Sequence, residues 1–143
     1  MSCCCTNKET ISCENAPGAI GPYSVAVSTG SLVFVSGQLG LDKDTGSLVA
    51  GGIQAQTRKA LENMKAILES AGLSMGNVVK TTVFMLDMGQ FTDMNTVYAE
   101  FFTRDFPARS AIQVAGLPKN GIIEIEAIAV KPDDQEDENC SCH

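Results

Sequence analysis

The sequence predicts an α+β domain in which two helices cover one face of a single β-sheet. Short β-branched runs alternate with two segments whose apolar residues recur at steps of three and four, the period of an amphipathic helix. The segments follow the order two or three strands, helix, strand, helix, strand, strand. No repeat or linker interrupts the 143 residues, so we expect one domain of the α+β class.

The first strands predict a β-hairpin. Residues 25–28 and 32–38 are short apolar runs rich in β-forming residues, and residues 29–31 between them are typical of a tight turn. A second turn is expected at residues 42–46.

Two helices and three further strands follow. The first helix is predicted from an apolar stripe made of Ile53, Thr57, Ala60, Leu61, Met64, Ile67, Leu68 and Ala71. Gly72 fits the left-handed position after its end. A second helix is predicted around residues 94–102, with Pro107 beyond its end. Strands are predicted at residues 78–86, 111–114 and 122–130. One sheet face then has no cover, and we expect self-association, for which closed rings are a common form.

Charge and hydropathy exclude several classes of partner. Five of the 17 acids lie between residues 133 and 138, and the rest of the chain carries 12 acids against 10 bases. Without clustered Lys and Arg, a nucleic-acid partner is not expected. No apolar run approaches the roughly 20 residues that span a bilayer, and no signal peptide is evident. We therefore expect a cytoplasmic location, no membrane partner, and a domain at residues 8–131 flanked by flexible tails, 1–7 and 132–143.

The six cysteines lie near the chain ends, which excludes a thiol nucleophile from the core. They are Cys3, Cys4, Cys5, Cys13, Cys140 and Cys142. We expect reduced thiols and no metal site, since their spacing matches no standard zinc pattern. A soft metal site that includes His143 stays open as the alternative.

Chemistry is concentrated in the C-terminal third. Arg109 follows a proline and precedes a predicted strand, so we expect its guanidinium at a strand mouth. Glu124 and Glu126 lie within an apolar strand and share one of its faces. A carboxylate buried without a partner is costly. Two interpretations follow: a structural pair of Arg109 with a glutamate, or a catalytic or ligand-binding site.

Ordered motifs across residues 8–131 resemble the RidA/YjgF/UK114 family, also described as endoribonuclease L-PSP. The matching stretches are residues 15–17, 20–24, 36–38, 54–72, 80–84, Asn95, 98–102, 107–110, Ile112, Leu117 and 123–125. The resemblance implies a chorismate-mutase-like fold with a mixed six-stranded sheet and two helices on one face. It further implies a homotrimer with clefts between subunits. The implied activity is hydrolysis of 2-iminopropanoate and 2-iminobutanoate to 2-keto acids and ammonia, without cofactor or metal.

The resemblance also assigns roles to residues. Arg109 matches the arginine that grips the substrate carboxylate, and Glu124 the carboxylate that activates water. Tyr23, Gly37 and Asn95 match residues that line the same cleft. Ala111 belongs to the cleft as well, at a position where some members carry cysteine.

Each of these residues also has a structural interpretation. Tyr23 can be a packed aromatic, Gly37 a strand glycine that allows close approach, and Asn95 an exposed helix residue. Two other functions stay open: an endoribonuclease acting on single-stranded RNA, and a non-enzymatic ligand-binding or chaperone-like trimer.

Overall fold

The structure, a computed structural model, describes residues 7–133. They form a six-stranded mixed sheet with two α-helices on one of its faces. The elements are β1 (Lys8–Ile11), β2 (Ala26–Thr29), β3 (Leu32–Leu39), α1 (Gly52–Ser70), β4 (Val78–Met85), α2 (Phe91–Phe101), β5 (Ala108–Gln113) and β6 (Ile123–Val130). The predicted α+β class, a mixed six-stranded sheet with two helices on one face, is confirmed. The predicted tails, with Cys3, Cys4, Cys5, Cys140, Cys142 and His143, lie almost entirely outside the described residues.

The last strand within residues 7–133, β6, lies near the middle of the sheet. The spatial order is β1-β2-β3-β6-β4-β5, in which β4 and β5 pair in parallel and every other neighbouring pair is antiparallel. Because β6 pairs antiparallel with both β3 and β4, those two strands run in the same direction on either side of it. The helices α1 and α2 form the crossovers that parallel strands require.

Helix α1 packs against β3 and β6, and α2 lies beside it. The stripe residues Ala60, Leu61, Met64, Ile67 and Leu68 are completely buried. Gly72, at a φ of 76°, donates its N–H to the Glu69 carbonyl, and Leu73 donates to that of Leu68. This is the Schellman arrangement, which favours glycine at the left-handed position, and it confirms the prediction for Gly72. Within residues 7–133, no helix combines the length and apolar character that crossing a bilayer requires.

The two faces of the sheet differ sharply in cover. Side chains alternate across each strand, so Val33, Val83 and Ile125 face the helices and are completely buried. The opposite side, here called the open face, presents Leu32, Phe34 and Ile112 at 37, 41 and 46% exposure. Glu124 and Glu126 also lie on this face, as predicted, because their neighbours Ile123, Ile125 and Ala127 point into the core.

Two strand predictions need correction. Strand β1 was not predicted as a separate element, because its Lys8, Glu9 and Thr10 are polar and exposed and its evidence is the pairing with β2. Strand β5 begins at Ala108 rather than residue 111, because parallel pairing with β4 extends over polar residues. Arg109 therefore lies inside a strand, opposite Thr81, and not at a strand mouth.

Asn63 ties α1 to the end of β3. Its amide Nδ2 donates to the carbonyls of Leu39 and Leu41 at 3.2 and 3.0 Å, and the side chain is only 2% exposed. A Cβ at the neighbouring Gly40 would lie 2.7 Å from the Cα of Gln56, so strand and helix approach too closely there for a larger residue. Together these contacts fix where the chain leaves the sheet.

We predict that Asn63→Ala lowers the free energy of unfolding by about 2–4 kcal/mol, because two buried carbonyls lose their donor. Chemical denaturation measures this change. The matched control is Glu62→Ala, the exposed neighbour on the same helix, which should shift stability by less than about 0.5 kcal/mol. Equal effects for the two variants would contradict the assignment.

Candidate active site

Arg109 is held against helix α2. Its Nη1 donates a hydrogen bond to Oδ1 of Asn95 at 2.7 Å. Its guanidinium carbon lies 4.7 Å from the ring centroid of Tyr98 and 5.3 Å from that of Phe91, within cation–π range. The side chain is half-buried. One hydrogen bond and two aromatic rings therefore fix the guanidinium, and its other N–H groups have no hydrogen-bond partner among residues 7–133.

This arrangement of Asn95, Tyr98 and Phe91 around Arg109, here called the clamp, borders a surface cavity of about 480 Å³. Its lining consists of Asn95, Tyr98, Ala99, Phe102, Phe106, Pro107 and Arg109. Phe106, which is 69% exposed, gives the cavity an apolar wall. A cation among apolar and aromatic groups suits a small anion with an organic side chain.

Asn95 and Ala111 belong to the Arg109 side of the molecule. Asn95 is half-buried and hydrogen-bonded to Arg109, so it is not a free surface residue. Ala111 lies two residues after Arg109 on the same strand face, opposite Val83 of β4, and packs against the core. These two predicted site residues and Arg109 thus share one face of the sheet.

Glu124 lies on the open face, beside Gly37. A Cβ at residue 37 would lie 2.7 Å from the carboxyl carbon of Glu124, so the side chain occupies the space that the glycine leaves. Gly37 has no positive φ, and its requirement is therefore close approach rather than backbone freedom. The interpretation of Gly37 as a glycine that allows close approach agrees with this geometry.

Tyr23 lies in the loop between β1 and β2 and is 49% exposed, so it is not a packed core aromatic. Its hydroxyl accepts a hydrogen bond from the Ile20 N–H at 3.3 Å, and its own N–H donates to the Gly21 carbonyl at 2.8 Å. Tyr23 and Gly37 line one small cavity of about 30 Å³. Tyr23 and Gly37 thus form a second group with Glu124, separate from Arg109.

The two groups are on opposite faces of the sheet, and this corrects one interpretation. Arg109 lies opposite Thr81, whose side chain is buried under the helices, whereas Glu124 lies opposite Phe84 on the open face. In the part of the chain that the structure describes, neither Arg109 nor Glu124 belongs to an ion pair. A structural pair between Arg109 and a glutamate of the same chain is therefore wrong.

Sequence reasoning missed two of the three residues that hold Arg109, namely Phe91 and Tyr98, whereas Asn95 was already expected to line the cleft. Phe91, Asn95 and Tyr98 stand at steps of four and three, which places them on one face of α2. Tyr98 was predicted only as part of the second helix, and Thr81 only as part of a strand. The helical spacing was available from the sequence, but the strand that this face would meet was not.

The pKa of Glu124 is raised above the ordinary 4.5, first by burial and then by the charge of Glu126. Because the folded-state pKa exceeds the unfolded one, the protonated carboxyl favours the folded chain. This contribution to stability is present below pH 4.5 and is lost as the pH rises through the folded-state pKa.

We predict that Glu126→Gln lowers the pKa of Glu124 and leaves it above 4.5, because burial, the larger cause, remains. Carboxyl carbon chemical shifts followed by NMR through a pH titration measure the value, and Glu124→Gln identifies the resonance by its loss. An unchanged or higher pKa in Glu126→Gln would contradict this electrostatic account.

Known proteins share both sequence and fold with this chain. The family described as Endoribonuclease L-PSP matches residues 13–131. The human protein named 2-iminobutanoate/2-iminopropanoate deaminase is 48% identical over 87% of this chain and 90% of its own length. The Salmonella typhimurium protein of the same name is 54% identical over 86% of this chain and 98% of its own. The crystal structure of Escherichia coli TdcF with bound serine superposes with a TM-score of 0.83 at 48% identity, over 87% of this chain and 99% of TdcF. The chain therefore belongs to the Endoribonuclease L-PSP family, the RidA/YjgF/UK114 family that its motifs resemble.

Proposed function

We propose that this protein is a hydrolytic deaminase that converts 2-imino acids and their enamine tautomers to 2-keto acids and ammonia. The observation that carries the proposal is the clamped guanidinium of Arg109 at the mouth of a cavity with apolar walls. The names of the human and Salmonella relatives support the same activity. 2-Iminopropanoate and 2-iminobutanoate are the substrates to test first.

Arg109 binds the substrate carboxylate in this mechanism. Guanidinium is planar and presents paired N–H groups, so it can grip a carboxylate with two parallel hydrogen bonds. Asn95 accepts from Nη1 and leaves the remaining N–H groups for the substrate. Since Arg is a donor only, the amide oxygen of Asn95 must face it, and the Asn95 NH₂ is left to donate elsewhere.

Glu124 activates the water. Its carboxylate accepts a proton from water as the water oxygen bonds to the imine carbon. The same carboxyl returns that proton to the imine nitrogen, which gives a carbinolamine. It then transfers the hydroxyl proton to the amino group, so that the C–N bond breaks as the carbonyl forms and ammonia leaves. A raised pKa suits this double role, because a general acid–base is most effective when its pKa approaches the working pH. The chemistry needs neither metal nor organic cofactor.

The complete site requires two copies of the chain. Arg109 faces the helix layer and Glu124 the open face, so a cleft that contains both takes them from neighbouring subunits. The exposed Leu32, Phe34 and Ile112 on the open face favour burial against another subunit. We propose a homotrimer, a closed ring in which each interface is alike and forms one site.

A second candidate function is cleavage of single-stranded RNA, which the description of the matched family suggests. The net charge of −7 and the single histidine, His143, do not favour it. RNA binding measured against salt concentration tests it, because phosphate contacts produce a steep decline in affinity.

The direct test couples an amino-acid dehydratase to a keto-acid readout, with and without this protein. Faster keto-acid release supports the deaminase. An unchanged rate over a wide range of protein concentrations would reject it, and would favour the non-enzymatic ligand-binding or chaperone-like trimer.

The assembly prediction concerns Phe34. Light scattering at micromolar concentration should give three times the mass of the chain. Phe34→Asp, which puts a charge on the open face, should dissociate the trimer, whereas Lys65→Asp on the exposed side of α1 should not. A wild-type monomer, or equal behaviour of the two variants, would contradict assembly through this face.

The catalytic prediction concerns Arg109 and Glu124. Arg109→Lys keeps the charge and loses the fork, so kcat/KM should fall roughly 10- to 200-fold. Glu124→Gln should reduce turnover at least about 100-fold. Thermal melts and imine-hydrolysis rates are measured on the same preparations. Variants that melt early and yet turn over normally in the cold would assign both residues to structure.

A further inference from the structure

Tyr98 joins three elements beneath the arginine. The side chain is 7% exposed, and its hydroxyl forms a 2.7 Å hydrogen bond with that of Thr81, which is completely buried. Thr81 of β4 lies directly opposite Arg109 of β5, and Tyr98 projects from α2 between them. The contacts therefore form a triangle of threonine, tyrosine and arginine.

The ring of Tyr98 is itself fixed on two sides. Its hydroxyl is bound to Thr81, and its ring contacts Phe102 at 4.6 Å between centroids. A free arginine side chain loses conformational entropy when it binds a ligand. A rigid aromatic surface under the guanidinium removes much of that loss in advance, because the cation already rests in its binding orientation.

The chemistry of Tyr98 points to orientation rather than to proton transfer. Burial raises the pKa of its phenol, and the opposing effects of Thr81 and Arg109 are smaller. The phenol therefore stays neutral across the pH range in which enzymes of this kind work. A neutral ring under a guanidinium supplies attraction and direction, and no charge that would compete for it.

We propose that Tyr98, locked by Thr81, is a positioning residue that holds the Arg109 guanidinium flat for two-point binding of a carboxylate. The inference rests on the proposed function and names Tyr98 as the residue that orients Arg109, which binds the substrate carboxylate. It separates three tasks. Asn95 takes one N–H of the guanidinium, Tyr98 supports its plane, and Phe91 borders it at 5.3 Å.

The experiment compares Tyr98→Leu and Tyr98→Phe with the wild-type protein. Binding of 2-oxobutanoate, a stable keto acid of the product class, is measured by calorimetry beside kcat and KM for imine hydrolysis. Tyr98→Leu should weaken binding and raise KM about 10-fold, with kcat within about 2-fold, because the carboxylate is bound alike in substrate and transition state. Tyr98→Phe keeps the ring, so its affinity for 2-oxobutanoate and its KM should stay within about 2- to 5-fold of the wild-type values.

Val97→Ala is the matched control. Val97 is the preceding residue on α2 and is 1% exposed, so its truncation destabilises the core without touching Arg109. It should lower the melting temperature and leave the affinity for 2-oxobutanoate unchanged. If Tyr98→Leu proves too unstable, Thr81→Val, which removes only the hydroxyl bond, should give the smaller loss expected of Tyr98→Phe.

A double-mutant cycle gives the decisive comparison. In an Arg109→Gln background the cation is gone, so adding Tyr98→Leu should change kcat/KM by less than about 2-fold. Additive losses, or Tyr98→Leu behaving like Val97→Ala while the wild-type enzyme is active, overturn this inference alone. A wild-type protein that neither binds 2-oxobutanoate nor hydrolyses imines overturns the proposed function and the inference with it.

Discussion

Helices cover only one face of the sheet, and the rest of the structure depends on this constraint. Both helices serve as crossovers and pack on the same side, and β6, the last strand of the described residues, lies between β3 and β4. The core is complete on the helix side, where Val33, Val83 and Ile125 are fully buried. The open face keeps exposed apolar side chains beside two carboxylates, and no helix of residues 7–133 lies over it.

This constraint also separates the chemical groups. Alternation along β5 directs Arg109 towards α2, while alternation along β6 directs Glu124 away from the helices. Neither group can satisfy the other within one chain. Arg109 has local partners in Asn95, Tyr98 and Phe91, whereas the carboxyl of Glu124 has a raised pKa and lies in space left by Gly37. The fixed cation and the carboxyl with a raised pKa are the two groups that the proposed imine hydrolysis uses.

Much of the fold was predictable because its signals are local. The three-and-four period of α1, the left-handed glycine at residue 72 and the period-two placement of Glu124 and Glu126 each depend on neighbouring residues. The family motifs added the six-stranded sheet and the candidate residues, which the structure divides between its two faces.

What the sequence did not predict depends on distant pairing. Strand β5 reads Ala-Arg-Ser-Ala-Ile-Gln, with no alternation of apolar and polar residues, so nothing local tells which way Arg109 points. Its direction follows from parallel register with β4, which sets it opposite Thr81. The contact between Tyr98 and Arg109 was not predictable for the same reason, since it depends on the packing of α2 beside β5. Strand β1 likewise has no local sequence signal and is recognised only by its pairing with β2.

The central claim is that one active site takes Arg109 from one subunit and Glu124 from its neighbour. The most direct measurement mixes Arg109→Gln and Glu124→Gln chains, lets their subunits exchange, and records imine hydrolysis. Random exchange in a ring should restore about one quarter of the sites, because each needs an intact arginine on one side and an intact glutamate on the other. Recovery to about that level from two inactive parents is the predicted result. A mixture that stays as inactive as its parents, after exchange has been verified by mass, would contradict the account.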